Sequence, residues 1–289
     1  MTQATMSAVP GIRHDRVGLP RLFRAELRWI FRRPRTQIVL GLLALIPIVI
    51  GIALTLVTTG PDANAGPEDS LFSSAVGNAL VLPVAALGIT LALLLPLAAA
   101  MAGADAIAGE TSHGTLRGWL IAPVSRGRLL AVKAFGVATV SLVAVVSMAV
   151  TAVVTGLVIN GSGSMITMSG TTLSLGDALG RIAIAAGWVT LQLWAVGAVA
   201  LAISACTEHP MLVVVSVLAG DIVFQILSLL SAVSWLHPFL LNQNWQTALI
   251  DVLRDPMPTG QLLDGVLRAA CYIVVALSLA YARLTTRDG

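Results

Sequence analysis

Long apolar runs separated by short polar, glycine- or proline-bearing stretches set the pattern of this chain. A helix needs about 20 mostly apolar residues to cross ~30 Å of hydrocarbon. Six runs meet that length: Gln37–Thr58, Ala75–Met101, Leu130–Ile159, Arg181–Cys206, Met211–Trp235 and Gly265–Leu284. They predict six transmembrane helices. The third exceeds a straight crossing, which implies tilt or an extension beyond the bilayer. Period-two alternation is absent, so a barrel is excluded. Pro47, Pro83 and Pro96 fall inside runs, where neighbouring helices can satisfy the carbonyls that proline frees.

Two further segments carry helical amphipathicity rather than continuous hydrophobicity. In residues 19–33, Leu19, Leu22, Phe23, Leu27, Ile30 and Phe31 recur at the i, i+3, i+4 spacing of one face. Arg21, Arg24, Arg28, Arg32 and Arg35 take the opposite face, and Pro34 stops the run. Residues 19–36 therefore predict an interfacial helix with its arginines toward anionic headgroups or a docked partner. The alternative is a plain topology anchor. Near the other end, Leu241, Trp245, Ala248, Leu249, Val252 and Leu253 share a face that ends at Asp255-Pro256. That segment is either a cap over the bundle or an interfacial helix with Trp245 as an aromatic anchor.

Composition narrows the class. Of 289 residues, 57% are hydrophobic and 11% are charged, with a mean hydropathy of +0.90. Soluble domains carry about 25% charged residues, so a soluble enzyme is excluded, as are a disordered chain and a disulfide scaffold. The expected fold is an all-α polytopic membrane protein. Cys206 and Cys271 lie in apolar stretches and read as small buried hydrophobes without a disulfide.

Charge then sets orientation. Eight arginines between residues 13 and 35, then Arg117, Arg126, Arg128 and Lys133, then Arg283 and Arg287, place fourteen of the 17 basic residues on one side. Asp62, Glu68, Asp69, Asp177, Asp251 and Asp255 fall on the other. Both termini are cytoplasmic. The expected organisation is a disordered arm at 1–18, the interfacial helix at 19–36, a six-helix domain at 37–284 and a tail at 285–289. Outer loops fall at 59–74, 160–180 and 236–264, and a cytoplasmic loop at 102–130. The first apolar run is too long for a signal-peptide core and lacks a cleavage site.

The cytoplasmic loop carries the most information. Leu116, Leu120 and Ile121 make a short apolar face that Pro123 ends. Ser125 is placed to cap the next helix, whose first turns carry Arg126 and Arg128. Such a loop is either a routine connection or a handle for a soluble partner.

The run Gly109-Glu110, Gly114-Thr115-Leu116, Ala122-Pro123-Val124-Ser125-Arg126 and Lys133 resembles the signature loop of ABC-2 type transporter permeases. The six spans, cytoplasmic termini, preceding amphipathic helix and long loop between spans five and six match that family's plan. The resemblance implies that residues 109–130 couple to a separate ATP-binding subunit, with Glu110, Gly114, Thr115, Leu116, Arg117 and Arg126 as the contact or its frame. It also implies that the 19–33 helix packs on that subunit, and that the cargo is exported between two permease copies, identical or paralogous. A drug, lipid or peptide-like substrate and a bacterial cytoplasmic membrane fit the family. Gly118 departs from the pattern by weakening the turn by up to ~1 kcal/mol.

The chain has no nucleotide engine of its own. A phosphate-binding loop needs Gly-x-x-x-x-Gly-Lys-Ser/Thr, and the sole lysine, Lys133, stands between Val132 and Ala134. ATP and Mg are therefore expected in the partner, with no cofactor, metal or nucleic acid on this chain. No two histidines stand at i, i+4, which excludes a zincin site. Met165 and Met168, like Ser162 and Ser164, read as loop composition.

Polar groups at membrane depth are functional hypotheses by default. Asp221 lies about ten residues into span five, Gln225 follows one turn later on the same face, and Gln192 of span four sits at similar depth. A Gln192–Asp221 pair is geometrically open. It would mark either the translocation path or an inter-helix hydrogen bond. An ion-coupled secondary transporter using Asp221 is the competing function, against which stand the lack of an inverted repeat and the single midplane acid. Arg268, near the outer end of span six, is expected to snorkel to the interface.

Overall fold

The computed structural model describes residues 19–59, 78–112, 125–161 and 165–286. Their helices are α1 (Leu19–Arg32), α2 (Pro34–Thr59), α3 (Leu82–Leu91), α4 (Leu94–Ala106), α5 (Ala108–Ser112), α6 (Arg126–Asn160), α7 (Leu175–Cys206), α8 (Pro210–Leu229), α9 (Trp245–Val252) and α10 (Gly260–Thr286). A 3-10 segment (Ser231–Phe239) follows α8, and a two-residue hairpin, β1 (Met165–Ile166) with β2 (Thr172–Leu173), precedes α7. Among the described residues, α2, α6, α7, α8 and α10 are each long and apolar enough to cross a membrane, and the pair α3–α4, bent by 58°, makes up to six if it is one broken span rather than a re-entrant loop. The chain is an all-α multi-pass membrane protein.

Local chemistry explains where these helices start and stop. The interfacial helix ends at Arg32, four residues short of the expected boundary, because Pro34 opens α2. Proline suits a first helical position, where its missing N–H has no intrahelical partner to lose. Helix α6 runs 35 residues, about 52 Å at 1.5 Å per residue, longer than a straight crossing requires. Gly161 ends it at φ 62°, in the left-handed region that glycine adopts without a Cβ clash. Ser125 takes the N-cap position of α6 with extended backbone, yet its hydroxyl makes no capping bond. Ser174 does cap α7, accepting from the Asp177 N–H at 3.3 Å.

Span two departs from the single continuous helix expected over Ala75–Met101. It breaks between Leu91 and Leu94, and its halves are bent by 58°. Pro96 supplies the physical reason. It cannot donate to the Ala92 carbonyl four residues back, and its ring crowds that carbonyl. Leu93 accordingly leaves helical geometry at φ −151°, ψ −47°.

Helix α7 is the centre of the bundle. Its inward face, including Ile182, Trp188, Val189, Gln192, Leu193 and Val196, is buried against α4, α6 and α10. Backbone approach to α4 depends on Gly103, where a Cβ would lie 2.5 Å from that of Ala200. Helices α2, α8 and α10 are mostly exposed, and α6 presents Leu142, Val146, Val150, Val154 and Val158 at i, i+4 spacing. In a bilayer such exposed apolar stripes face lipid or a neighbouring chain. Cys206 and Cys271 belong to this exposed surface as free thiols, which corrects the expectation that they are buried.

Candidate functional site

The site beside the loop between spans two and three is built from one lysine and the helices it joins. Glu26 sits four residues from Leu22 and from Ile30, so it falls within the apolar stripe of α1. It is buried there, 5% exposed. That stripe packs on the first turns of α6, with the Phe23 and Phe135 rings 4.5 Å apart. Gly136 permits the approach: a Cβ on it would meet Ile30 at 2.7 Å. Lys133, one turn earlier on α6, is 1% exposed. Its Nζ donates to Glu26 Oε1 at 3.0 Å and, in a short contact, to Glu110 Oε1. One ammonium thus joins the interfacial helix, the start of span three and the first residues of the cytoplasmic loop.

Neighbouring charges extend the cluster. Arg33 lies 3.2 Å over the Trp29 ring and 3.9 Å from Asp105 at the end of α4, which Arg35 reaches at 3.3 Å. Burial pushes the Glu110 carboxyl above its ordinary value, with the Lys133 charge opposing the shift. Burial likewise lowers the Arg33 guanidinium, opposed by Asp105. Such pairs lose hydration as they form, so tying elements together is their chief effect. Ser204 of α7 completes the frame. It accepts from the Ala108 N–H at 2.8 Å and donates to the Ala104 carbonyl, which fixes the α4–α5 junction.

Of the residues expected to couple to a partner, Gly114, Thr115, Leu116 and Arg117 lie outside the described residues, as does the arm at 1–18. Glu110 turns inward, 4% exposed, into the Lys133 cluster. Arg126 also faces the chain itself, donating to the carbonyls of Leu284 and, at 2.9 Å, Thr285 at the end of α10. Both are therefore parts of the frame. Arg21, Arg24, Arg28 and Arg32 are all exposed along one side of α1. Sequence reading missed Glu26 and Asp105 and gave Lys133 no role beyond its motif. The available signal was an acid within an apolar stripe and the only lysine of the chain.

The polar residues at membrane depth divide into two groups. The Gln192–Asp221 pair does not form. Gln192, fully buried, donates to the Gly265 carbonyl of α10 at 3.2 Å and accepts from the Trp245 indole at 3.3 Å. Asp221 instead accepts from Gln225 at 2.9 Å and from Asn242 of the outer loop at 3.1 Å. The two acceptors exposed by the break in span two are also filled. Gln225 donates to the Ala92 carbonyl at 2.8 Å, and Gln246 of α9 donates to the Gly88 carbonyl at 2.7 Å. A broken helix in hydrocarbon requires such substitutes for its missing backbone bonds.

At the opposite end, α9 caps the bundle. All six residues of its expected apolar face, Leu241 to Leu253, are buried, and Trp245 is 4% exposed, so it is no lipid-facing anchor. Arg181 clamps the cap. It pairs with Asp255 at 3.0 Å and donates to the carbonyls of Val252 and Arg254. Asp255 also accepts from Thr171 beside the hairpin at 3.0 Å. Arg268 donates to the carbonyls of Pro238 and Gln243, at 2.9 and 2.8 Å.

Residues 22–289 match the family model described as ABC-2 family transporter protein. The comparison with curated proteins finds no match.

Proposed function

The chain belongs to the ABC-2 transporter family, the membrane-spanning and not the ATP-hydrolysing part of an ABC transporter, and on that premise we propose how it works. Two permease copies, identical or paralogous, assemble with ATP-binding subunits that hold ATP and Mg. Residues 109–130 dock on those subunits, and the complex exports a drug, lipid or peptide-like substrate across a bacterial cytoplasmic membrane. Family membership favours this ATP-driven reading over the ion-coupled one through Asp221, whose carboxylate is occupied by Gln225 and Asn242.

The observation that carries the mechanism is the buried Lys133 bridge from Glu26 to Glu110. A displacement at the loop would reach α5, then Lys133, and through it both α6 and the interfacial helix. Rigid, packed connections of this kind transmit a push as the movement of whole helices. The exposed arginines of α1 suit either acidic groups on the ATPase or the headgroup layer.

The test is affinity purification of the full chain in mild detergent from cells that express its own ATPase. A nucleotide-binding subunit is expected to co-purify with the wild type and to be lost with Leu116→Asp, while the permease itself remains folded. Recovery of the intact permease with no nucleotide-binding chain would overturn the proposal.

A further inference from the structure

Between the α1–α2 elbow and the cytoplasmic ends of α4 and α6 lies a cavity of about 50 Å³ that opens to the surface. Its two ends differ in chemistry. Arg33, Arg35 and Asp105 line one end, beside the Trp29 ring; Val39, Leu40, Ala98 and Val140, farther along their spans, line the other. Three cations (Arg33, Arg35, Lys133) and two carboxylates (Glu26, Asp105) line it; with Glu110, the second partner of Lys133, the cluster as a whole is neutral, but its charges are unevenly spread. Lys133 is spent on Glu26 and Glu110, whereas Arg33 and Arg35 share Asp105 alone. Two cations on one carboxylate leave a local positive surplus at the arginine end, where the Arg35 side chain is 51% exposed.

We infer that this cavity binds one anionic phospholipid of the cytoplasmic leaflet, its phosphate on Arg33 and Arg35 and the start of one acyl chain between Val39, Leu40 and Ala102. A guanidinium presents a fork of donors that matches phosphate oxygens. Basic pockets between spanning helices at the cytoplasmic interface bind such headgroups. The order of the two ends also fits an amphiphile resting in the leaflet: charge at the interface, apolar walls toward the hydrocarbon. A zwitterionic lipid brings no net negative charge to balance the surplus. The site stands apart from ATPase docking and does not rest on it.

Native mass spectrometry of the full chain, released from vesicles of equal phosphatidylglycerol and phosphatidylcholine, tests the assignment. One phosphatidylglycerol per chain is expected to survive delipidation. Arg35→Gln removes a charge-assisted bond and should lower that occupancy roughly tenfold. Ala102→Phe, which fills the apolar end, should do the same. Arg35→Gln alters a half-exposed side chain, so its result stands even if Ala102→Phe fails to fold. Arg24→Gln, on the exposed side of α1, should leave occupancy unchanged. Equal retention of both lipids, unchanged occupancy in Arg35→Gln, or an equal loss in Arg24→Gln would overturn the site. Displacement by glycerol 3-phosphate alone would overturn the lipid as its source.

Discussion

Gln225 donates to the carbonyl of Ala92 at 2.8 Å, across 133 residues of sequence. That carbonyl is the one Pro96 deprives of its helical donor, so a side chain of span five supplies what the backbone of span two cannot. The same amide donates to Asp221, and Asn242 ties Asp221 to the outer loop. The break is thus a supported feature of the bundle.

Replacing that donor leaves the Ala92 carbonyl without a partner in a low-dielectric setting. Gln225→Leu should destabilise the protein by about 1–2 kcal/mol, read as a lower thermal midpoint in detergent. With Pro96→Ala the carbonyl regains a backbone donor, so the loss on adding Gln225→Leu should fall by at least about half. Strictly additive effects of the two substitutions would refute the link between them.

Lys133→Met strands two buried carboxylates. Removing one member of a buried ion cluster costs about 3–5 kcal/mol, and α1 should become readily cut by protease. The triple variant Lys133→Met, Glu26→Gln, Glu110→Gln removes the uncompensated charge and should recover much of the stability. If the triple variant is no more stable than the single one, charge burial is not the cause.

Glu110 gives the cluster a pH dependence. Its folded value is raised by burial above the ordinary 4.5, so the folded state binds this proton more tightly than the unfolded state. The contribution to stability is fullest below pH 4.5 and declines as pH rises through the raised value. Glu110→Gln removes that titration. Unfolding measured from pH 4.5 toward neutrality should show wild-type stability falling relative to the variant; a difference that stays flat or grows contradicts the assignment.

Trp245→Phe keeps the ring in the core but removes the donor to Gln192. The Gln192 side-chain oxygen, in a fully buried residue, then loses its partner at 3.3 Å. A cost of about 1–3 kcal/mol follows. Adding Gln192→Leu should reduce the additional loss, since both polar partners are then absent. Unchanged thermal midpoints for Trp245→Phe would show that the contact carries no weight.

Several features were legible before any coordinates. Six apolar lengths, arginines gathered on one side and the amphipathic stripe of α1 are one-dimensional signals, because a bilayer imposes its thickness and its polarity on the chain directly. The buried face of α9 was legible for the same reason: a helical period marks which residues face inward. What covers that face was not, since a period is silent about the identity of the neighbour.

The sequence by itself determined the class, the apolar lengths able to cross a membrane and the absence of a nucleotide-binding loop motif. Tertiary structure decided the partners: Glu26 with Lys133, Gln225 with Ala92, Trp245 with Gln192, and Arg268 with the carbonyls of Pro238 and Gln243. It also decided that span two bends at Pro96, although two other prolines in the spans read no differently. The physical reason is that burial in hydrocarbon depends on each residue's own chemistry, whereas a buried polar group is stable only beside a partner brought there by packing.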